Sequence, residues 1–349
     1  MVTTAAARVL AGCSTPRRRS SVGEVHRWVR ISLLFPAAAA LVAFAAAAAS
    51  GGRAPALVAF AGVAAGSDSY DLFVVDARGG NARNLTPHGG GGSPAWSPDG
   101  QRLAFVRTSG LWIMNGDGTR QRILARAHNP GFPTWSPNGR RIAFLFRDGP
   151  GYAVALAVVN ADGSGLRKLA AADPSVVWPN GRLSWSPDGS WIAFTGGRSM
   201  RIVRVDGTRR RIVWHCKSSR TCVDPAWSPD GRELLFSGDD GMMIAGNPTD
   251  DHERPRVLTH DGYNQLWTRD GRAVVFEGRD SMIYRMNPDG SGRRLLVNGH
   301  NPVLSKDGKS LAFVRGTASA WDLFTCRIDG TGVKRIATNS SVDYPAWGA

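Results

Sequence analysis

Six stretches of this chain are near copies of one another, and they restrict what it can fold into more than any other feature. PAWSPDGQRLAF begins at Pro94, PTWSPNGRRIAF at Pro133, LSWSPDGSWIAF at Leu183, PAWSPDGRELLF at Pro225, QLWTRDGRAVVF at Gln265 and PVLSKDGKSLAF at Pro302. A truncated copy, YPAWGA, begins at Tyr344. A spacing of about 40 residues is that of one supersecondary unit repeated and stacked, which builds a single continuous body. Forty-two glycines and twenty prolines would point to disorder if scattered, but many stand at regular turn positions.

Each unit divides into four short segments of strand character. In one copy ProAlaTrp (94–96) leads into the turn SerProAspGly (97–100). ArgLeuAlaPheVal (102–106), LeuTrpIleMetAsn (111–115), the turn GlyAspGlyThr (116–119) and ArgIleLeuAla (122–125) follow. Proline presets φ, Asp or Asn caps its own backbone, and Gly takes the positive φ that closes the turn. No segment after residue 50 keeps a 3.6-residue apolar period, so almost no helix is expected.

The third segments count the units: 72–76, 111–115, 155–160, 201–206, 243–247, 282–287 and 322–329, seven in all. The first unit, from AlaLeuValAlaPhe (56–60), lacks a Trp segment before it. The last copy, TyrProAlaTrp (344–347), lacks a second strand after it. Each end supplies what the other lacks. The expected fold is all-β, a seven-bladed β-propeller over 56–349 with four-stranded blades, closed by the C-terminal strand completing the N-terminal blade.

These repeats resemble the WD40-like PD40 repeats of the TolB family, whose consensus runs near PxWSPDGxxIAF with a later strand ending in AspAlaAspGly. The resemblance covers 57–347. Departures are Leu304 in place of Trp, ThrArgAspGly at 268–271, SerLysAspGly at 305–308 and AsnProThrAsp at 247–250. It implies six blades, the alternative to the seven counted here, and an envelope scaffold.

The formal charge is +15, but residues 1–53 carry seven arginines against one acid, Glu24, leaving about +9 on the repeats. There the arginines recur in the fourth segment, as in ArgGlnArgIle (120–123) and ArgArgLeu (293–295). On an outer edge strand such residues blunt unwanted strand pairing. No nucleic-acid reading module accompanies them, so nucleic acid is not an expected partner.

Residues 1–55 read as an export signal or N-terminal anchor. A basic segment, RRRSSVGEVHRWVR, precedes the apolar run ISLLFPAAAALVAFAAAAA at 31–49. A positive region, an apolar region and a small-residue end describe a secretory signal, with cleavage after Ala49 or Ala56. The run is nearly long enough to span a bilayer, so an uncleaved anchor is the alternative, and the membrane is met only through this segment. LeuAlaGlyCys at 10–13 looks like a lipoprotein box but lacks an apolar stretch before it. Export would permit Cys216 and Cys222, six apart in HCKSSRTC, to form a disulfide, while Cys326 sits in an apolar strand.

Known catalytic motifs are absent. Prolyl oligopeptidases have similar repeats followed by a serine hydrolase, but no GxSxG elbow exists here. GlyGlyGlyGly (89–92) and AspGlyLysSer (307–310) do not complete a phosphate loop. AlaAspGlySerGly (161–165) and ProAspGlySerGly (288–292) lack the further acids of a calcium loop and read as hairpin turns. Five histidines precede first strands: His88, His128, His215, His260 and His300, with Gln265 near His260. If the units superpose, these residues gather at one mouth of the ring, where imidazoles could take a metal or an anionic ligand.

The function expected is an exported, non-catalytic TolB-like propeller in the periplasm or cell envelope. It would bind a protein or carbohydrate-like partner on one face, as a monomer and without a cofactor. The alternative is a metal-dependent polysaccharide lyase. Oligogalacturonate lyases are seven-bladed propellers with similar repeats that hold a metal with several His and a Gln, and the resemblance would place that site at the same mouth residues.

Overall fold

A computed structural model describes residues 56–348 apart from 65–68, 88, 150–153, 172–181, 218–221, 251, 253, 318–319 and 340–341. Residues 1–55, the segment expected to serve export or anchoring, and His88 lie outside the described residues. Those described form seven four-stranded antiparallel sheets and no helix. The count of seven blades from the repeats therefore holds, and the six-bladed alternative falls.

Blade two shows the plan. Gly92–Trp96 is the inner strand, followed outward by Arg102–Arg107, Gly110–Asn115 and Arg122–Arg126. Blades three to seven repeat it over 128–171, 184–215, 223–259, 263–298 and 300–339. Blade one is assembled from both ends: Val342–Trp347 pairs antiparallel with Leu57–Val63, Val58 facing Trp347 and Ala59 facing Ala346. Inner strands touch their neighbours all the way round, including the strand of blade seven against Val342–Trp347 and the latter against blade two. The ring is closed, with no sheet edge open at the seam.

Each repeated turn closes itself with its own side chains. In blade two Ser97 Oγ accepts from Arg102 N at 2.9 Å, and Asp99 Oδ1 accepts from Gln101 N at 3.0 Å. Gly100 supplies φ of 70°. The same bonds recur at Ser136–Asn138, Ser186–Asp188, Ser228–Asp230, Thr268–Asp270 and Ser305–Asp307, so the departures in blades six and seven keep the chemistry. A hydroxyl and a carboxylate or amide oxygen are what the turn needs, and both replacements supply them.

Packing runs between blades as well as within them. The second-strand phenylalanines Phe60, Phe105, Phe144, Phe236, Phe276 and Phe313 are fully buried. Each repeat Trp leans on the preceding blade: Trp135 packs with Leu111 and Leu124, and Trp227 with Met200 and Val213. Leu304 fills the equivalent place against Val275 and Val297, so an apolar side chain suffices for packing there. The indole N–H then adds direction. Trp135 Nε1 donates to Ala95 O, Trp185 to Thr134 O and Trp267 to Ala226 O, each at 3.0 Å. Trp96 and Trp227 bury the same nitrogen with no partner among the described residues.

A second set of links joins the outer strands. Arg83 donates to Asp117 O at 2.6 Å, Arg122 to Ala161 O and Asp162 O at 3.2 Å, and Arg167 to Asp206 O at 2.7 Å. Arg211 reaches Pro248 O and Lys334 reaches Arg78 O in the same way. Each cation bonds a backbone carbonyl in the third-to-fourth-strand turn of the next blade. These basic side chains are thus tied down as ties between blades, beyond the edge-guarding role expected from their position.

Two outcomes test this account. Trp135→Phe removes an indole hydrogen bond along with ring volume, while Trp96→Phe removes only the volume. Trp135→Phe should be the more destabilising by about 1 kcal/mol in denaturant unfolding, and equal losses would contradict a role for the bond. Deleting residues 343–349 removes the inner strand of blade one and should collapse the cooperative transition or lower Tm by more than 10 °C, roughly; an unchanged melting curve would contradict closure.

Candidate functional site

Blades are built inner to outer from antiparallel strands, so the second-to-third-strand hairpins and the links between blades share one face. The repeated hydroxyl-Pro-Asp-Gly turns occupy the other. On the first face the inner strands of blades two, three, five, six and seven enter through a β-bulge three residues before the Trp position. Ser93, Phe132, Asp224, Asn264 and Asn301 hold φ of 47°, 51°, 54°, 52° and 50° there. The pairing slips at the same point, for example between Tyr263 facing Glu277 and Leu266 facing Val275. Asn and Asp tolerate this left-handed conformation through local hydrogen bonding, whereas Phe132 adopts it against its preference.

In blades five to seven these bulges carry a connected polar network. Its centre is Glu277, the last residue of Val274–Glu277 and only 1% exposed. Tyr263 Oη donates to Glu277 Oε1 at 2.7 Å, and His300 Nδ1 lies 2.7 Å from the same oxygen. Asn264 Nδ2 and the Asn301 amide donate to Oε2 at 3.0 and 2.9 Å. Asn264 Nδ2 also meets Asn301 Oδ1 at 3.1 Å, and its amide donates to Asp224 Oδ2 at 3.1 Å. A buried carboxylate needs this many donors to repay its lost hydration. Burial first, and then Glu277, push the Tyr263 hydroxyl well above the usual tyrosine range, so it stays a donor.

The position of Glu277 follows a rule of the repeat that was open to reading but not read. It is the residue after the buried second-strand Phe, where the other blades carry Ala61, Val106, Leu145, Thr195, Ser237 and Val314. Thr195 Oγ1 donates to Cys222 O at 2.7 Å and Ser237 Oγ to Gly262 O at 3.0 Å. In three consecutive blades this side chain therefore reaches the chain entering the next blade. Glu277 is the longest and only charged form of that contact.

The sequence-predicted residues are not gathered. His300 opens the inner strand of blade seven, bonded to Glu277 and edge-on to Trp321 at 5.1 Å. His128 opens that of blade three and is exposed. His215 instead ends the outer strand of blade four, exposed, with Nδ1 2.9 Å from Ser199 Oγ. His260 follows the outer strand of blade five, with Nδ1 3.3 Å from Asp240 O. Gln265 is buried, accepting from Ser237 Oγ at 2.9 Å and donating to Asp224 O.

The described residues do not fit the metal site that the lyase resemblance implies. Gln265 commits both ends of its amide, and of the four described histidines only His300 meets the Glu277 network. Among the described residues no three His, Cys, Asp or Glu side chains lie close enough to share an ion. The AspGlySer and AspGlyThr carboxylates are likewise spent inside their turns, as Asp162 on Ser164 and Asp289 on Ser291. An open groove of about 710 Å³ lies on the opposite face beside Asp230, Arg232 and Glu233, where Asp230 already serves its own turn.

Cys216 and Cys222 are joined as a disulfide, with Cα atoms 5.9 Å apart. Cys326 is buried in blade seven, and burial pushes its thiol up to about 11, leaving it unreactive.

No curated protein matches this sequence. Among solved structures, TolB from Acinetobacter baumannii aligns over 84% of this chain and 83% of its own, with 14% identity and TM-score 0.53. An oligogalacturonate lyase in complex with manganese aligns over 74% and 82%, with 17% identity and TM-score 0.58. An oligogalacturonate lyase from Vibrio parahaemolyticus aligns over 70% and 80%, with 13% identity and TM-score 0.54. At these identities the likeness is one of fold. The TolB beta propeller domain, PD40, matches residues 110–349, more than half of the chain, and the chain belongs to that family.

Proposed function

We propose that this chain is an exported, non-catalytic TolB-like propeller that binds a partner in the cell envelope through the face carrying the Glu277 network. The observation that carries this reading is the saturation of Glu277. Four donors hold the carboxylate, and through it the strained entries of blades six and seven are fixed in one geometry. A catalytic acid or base needs a free lone pair or proton, whereas a rigid binding surface needs preorganised groups around a satisfied centre. Asp224 and Asn264 stand half-buried at the rim of that surface. The basic and apolar segments before residue 50 and the Cys216–Cys222 disulfide both favour an oxidising compartment. The lyase reading loses ground because the described candidate histidines stand on different blades and Gln265 is committed at both ends of its amide.

In-cell cross-linking with fractionation tests the proposal. The chain should appear outside the cytoplasm, either shortened after Ala49 or Ala56 or retained at the membrane, with Cys216 and Cys222 oxidised. A discrete cross-linked complex should be lost in the folded Asp224→Ala/Asn264→Ala variant. A cytoplasmic, reduced product, or a complex indifferent to that variant, would overturn it.

A further inference from the structure

Between blades six and seven the repeat changes in three places at once. In four other seams a third-strand Ile or Val shares a buried cluster with the indole of the next blade: Ile113 with Trp135, Val158 with Trp185, Ile202 with Trp227 and Ile244 with Trp267. Blade six has Arg285 at that register, and blade seven has Leu304 in place of the indole. Val275 packs with Leu311 and Phe313 of blade seven, so its cross-strand partner Arg285 lies on the face toward that blade. The third change is a lost tie. The outer-strand cation at this register bonds the next blade's turn from Arg83, Arg122, Arg167, Arg211 and Lys334, and Arg256 acts on Asp289 across its seam. Its counterpart in blade six, Arg294, is exposed and makes no hydrogen bond or ion pair among the described residues.

Arg294 stands directly opposite Arg285 in the strand pairing, a placement in which like charges repel. Arg285 is half-buried, and its Nε is buried without a partner. The carboxylates of the two adjoining turns do not answer this charge, since Asp289 is spent on Ser291 and Asp329 on Thr331. Arg269 and Lys306 add to it, replacing the turn prolines of blades two to five. The stem of Arg285 helps to fill the space that Leu304 leaves, but Met would do so without a charge. An unpaired cation in such a place is costly, and an orphaned buried donor points to a bound ion.

We propose that Arg285 and Arg294 bind a tetrahedral oxyanion of the phosphate class, free or as an ester. Each guanidinium presents a planar fork of donors, and two forks call for more oxygens than one carboxylate offers. Two cations also match the charge of phosphate, which lies between about −1.5 and −2 in a monoester at neutral pH. Leu304 leaves the approach open, being only half-buried where Trp135, Trp185, Trp227 and Trp267 are buried. Arg285 is next to last in Met282–Met286, toward the face of the repeated turns and away from Glu277, so the site is independent of that network.

Calorimetric titration of the purified chain with inorganic phosphate, at constant ionic strength, tests the assignment. One phosphate should bind per chain. Arg285→Met and Arg294→Met, which keep the apolar stem, should each weaken binding at least about tenfold. The variant Arg285→Ile/Leu304→Trp rebuilds the seam used elsewhere in the ring; it should keep the circular dichroism of the wild type and bind no phosphate. Glycerol phosphate bound as tightly as the inorganic ion identifies a site for an ester on a larger molecule, and weaker binding identifies one for the free ion. A wild type that takes up no phosphate, Met variants or a rebuilt seam that bind it as the wild type does, or acetate bound equally well would overturn the proposal.

Discussion

The seams between blades decide whether seven four-stranded sheets form one body, and the indole of the repeat Trp is the group that fastens them. It buries its ring against the preceding blade and, in three seams, donates its N–H to a carbonyl of that blade's inner strand. Each such bond contributes only about 1 kcal/mol, yet it fixes the approach of neighbouring blades, which packing alone leaves free to slide. The outer cations do the corresponding work at the periphery. Arg83, Arg122, Arg167, Arg211 and Lys334 each bond the next blade's turn. A blade is therefore held backward at the axis and forward at the rim.

Much of this architecture could be read from the chain. Trp, Ser, Pro, Asp and Gly at fixed spacing state a strand, a turn and a second strand, and the unmatched Trp347 stated closure. What was lost was direction. The fourth-strand arginines looked like edge guards because a sequence shows which strand is outermost but not which carbonyl comes within reach. The histidines looked convergent because each stands shortly before a first strand, although at offsets of eight, seven, twelve, seven and four residues from the Trp position. The structure places His215 and His260 at the ends of outer strands and His128 and His300 at the starts of inner ones, at different distances from the axis. The link between blades varies in length, so standing before a first strand did not mean standing at one place.

Glu277 was the missed residue, and the reason is instructive. Its signal lay in comparing copies at the residue after the conserved Phe, not in any motif. Ala61, Val106, Leu145 and Val314 there are silent, while Thr195, Ser237 and Glu277 in successive blades all reach the chain entering the next blade. Divergence among copies marks one sector of the ring as chemically different from the rest. A repeat fixes the scaffold by what it keeps and makes a surface by what it changes.

The ring depends on its seams and is weakest at blade one, whose inner strand comes from the far end of the chain and can leave without unfolding another blade. The closing strand Val342–Trp347 faces blade two across Trp96, whose indole nitrogen has no partner among the described residues, whereas blades two and three are joined by Trp135. Native-state hydrogen exchange measures this directly. The account predicts that amides joining Leu57–Val63 to Val342–Trp347 open at a lower free energy than those joining His128–Trp135 to Arg141–Arg147. Equal protection at both, or stronger protection at the closing strand, would contradict it.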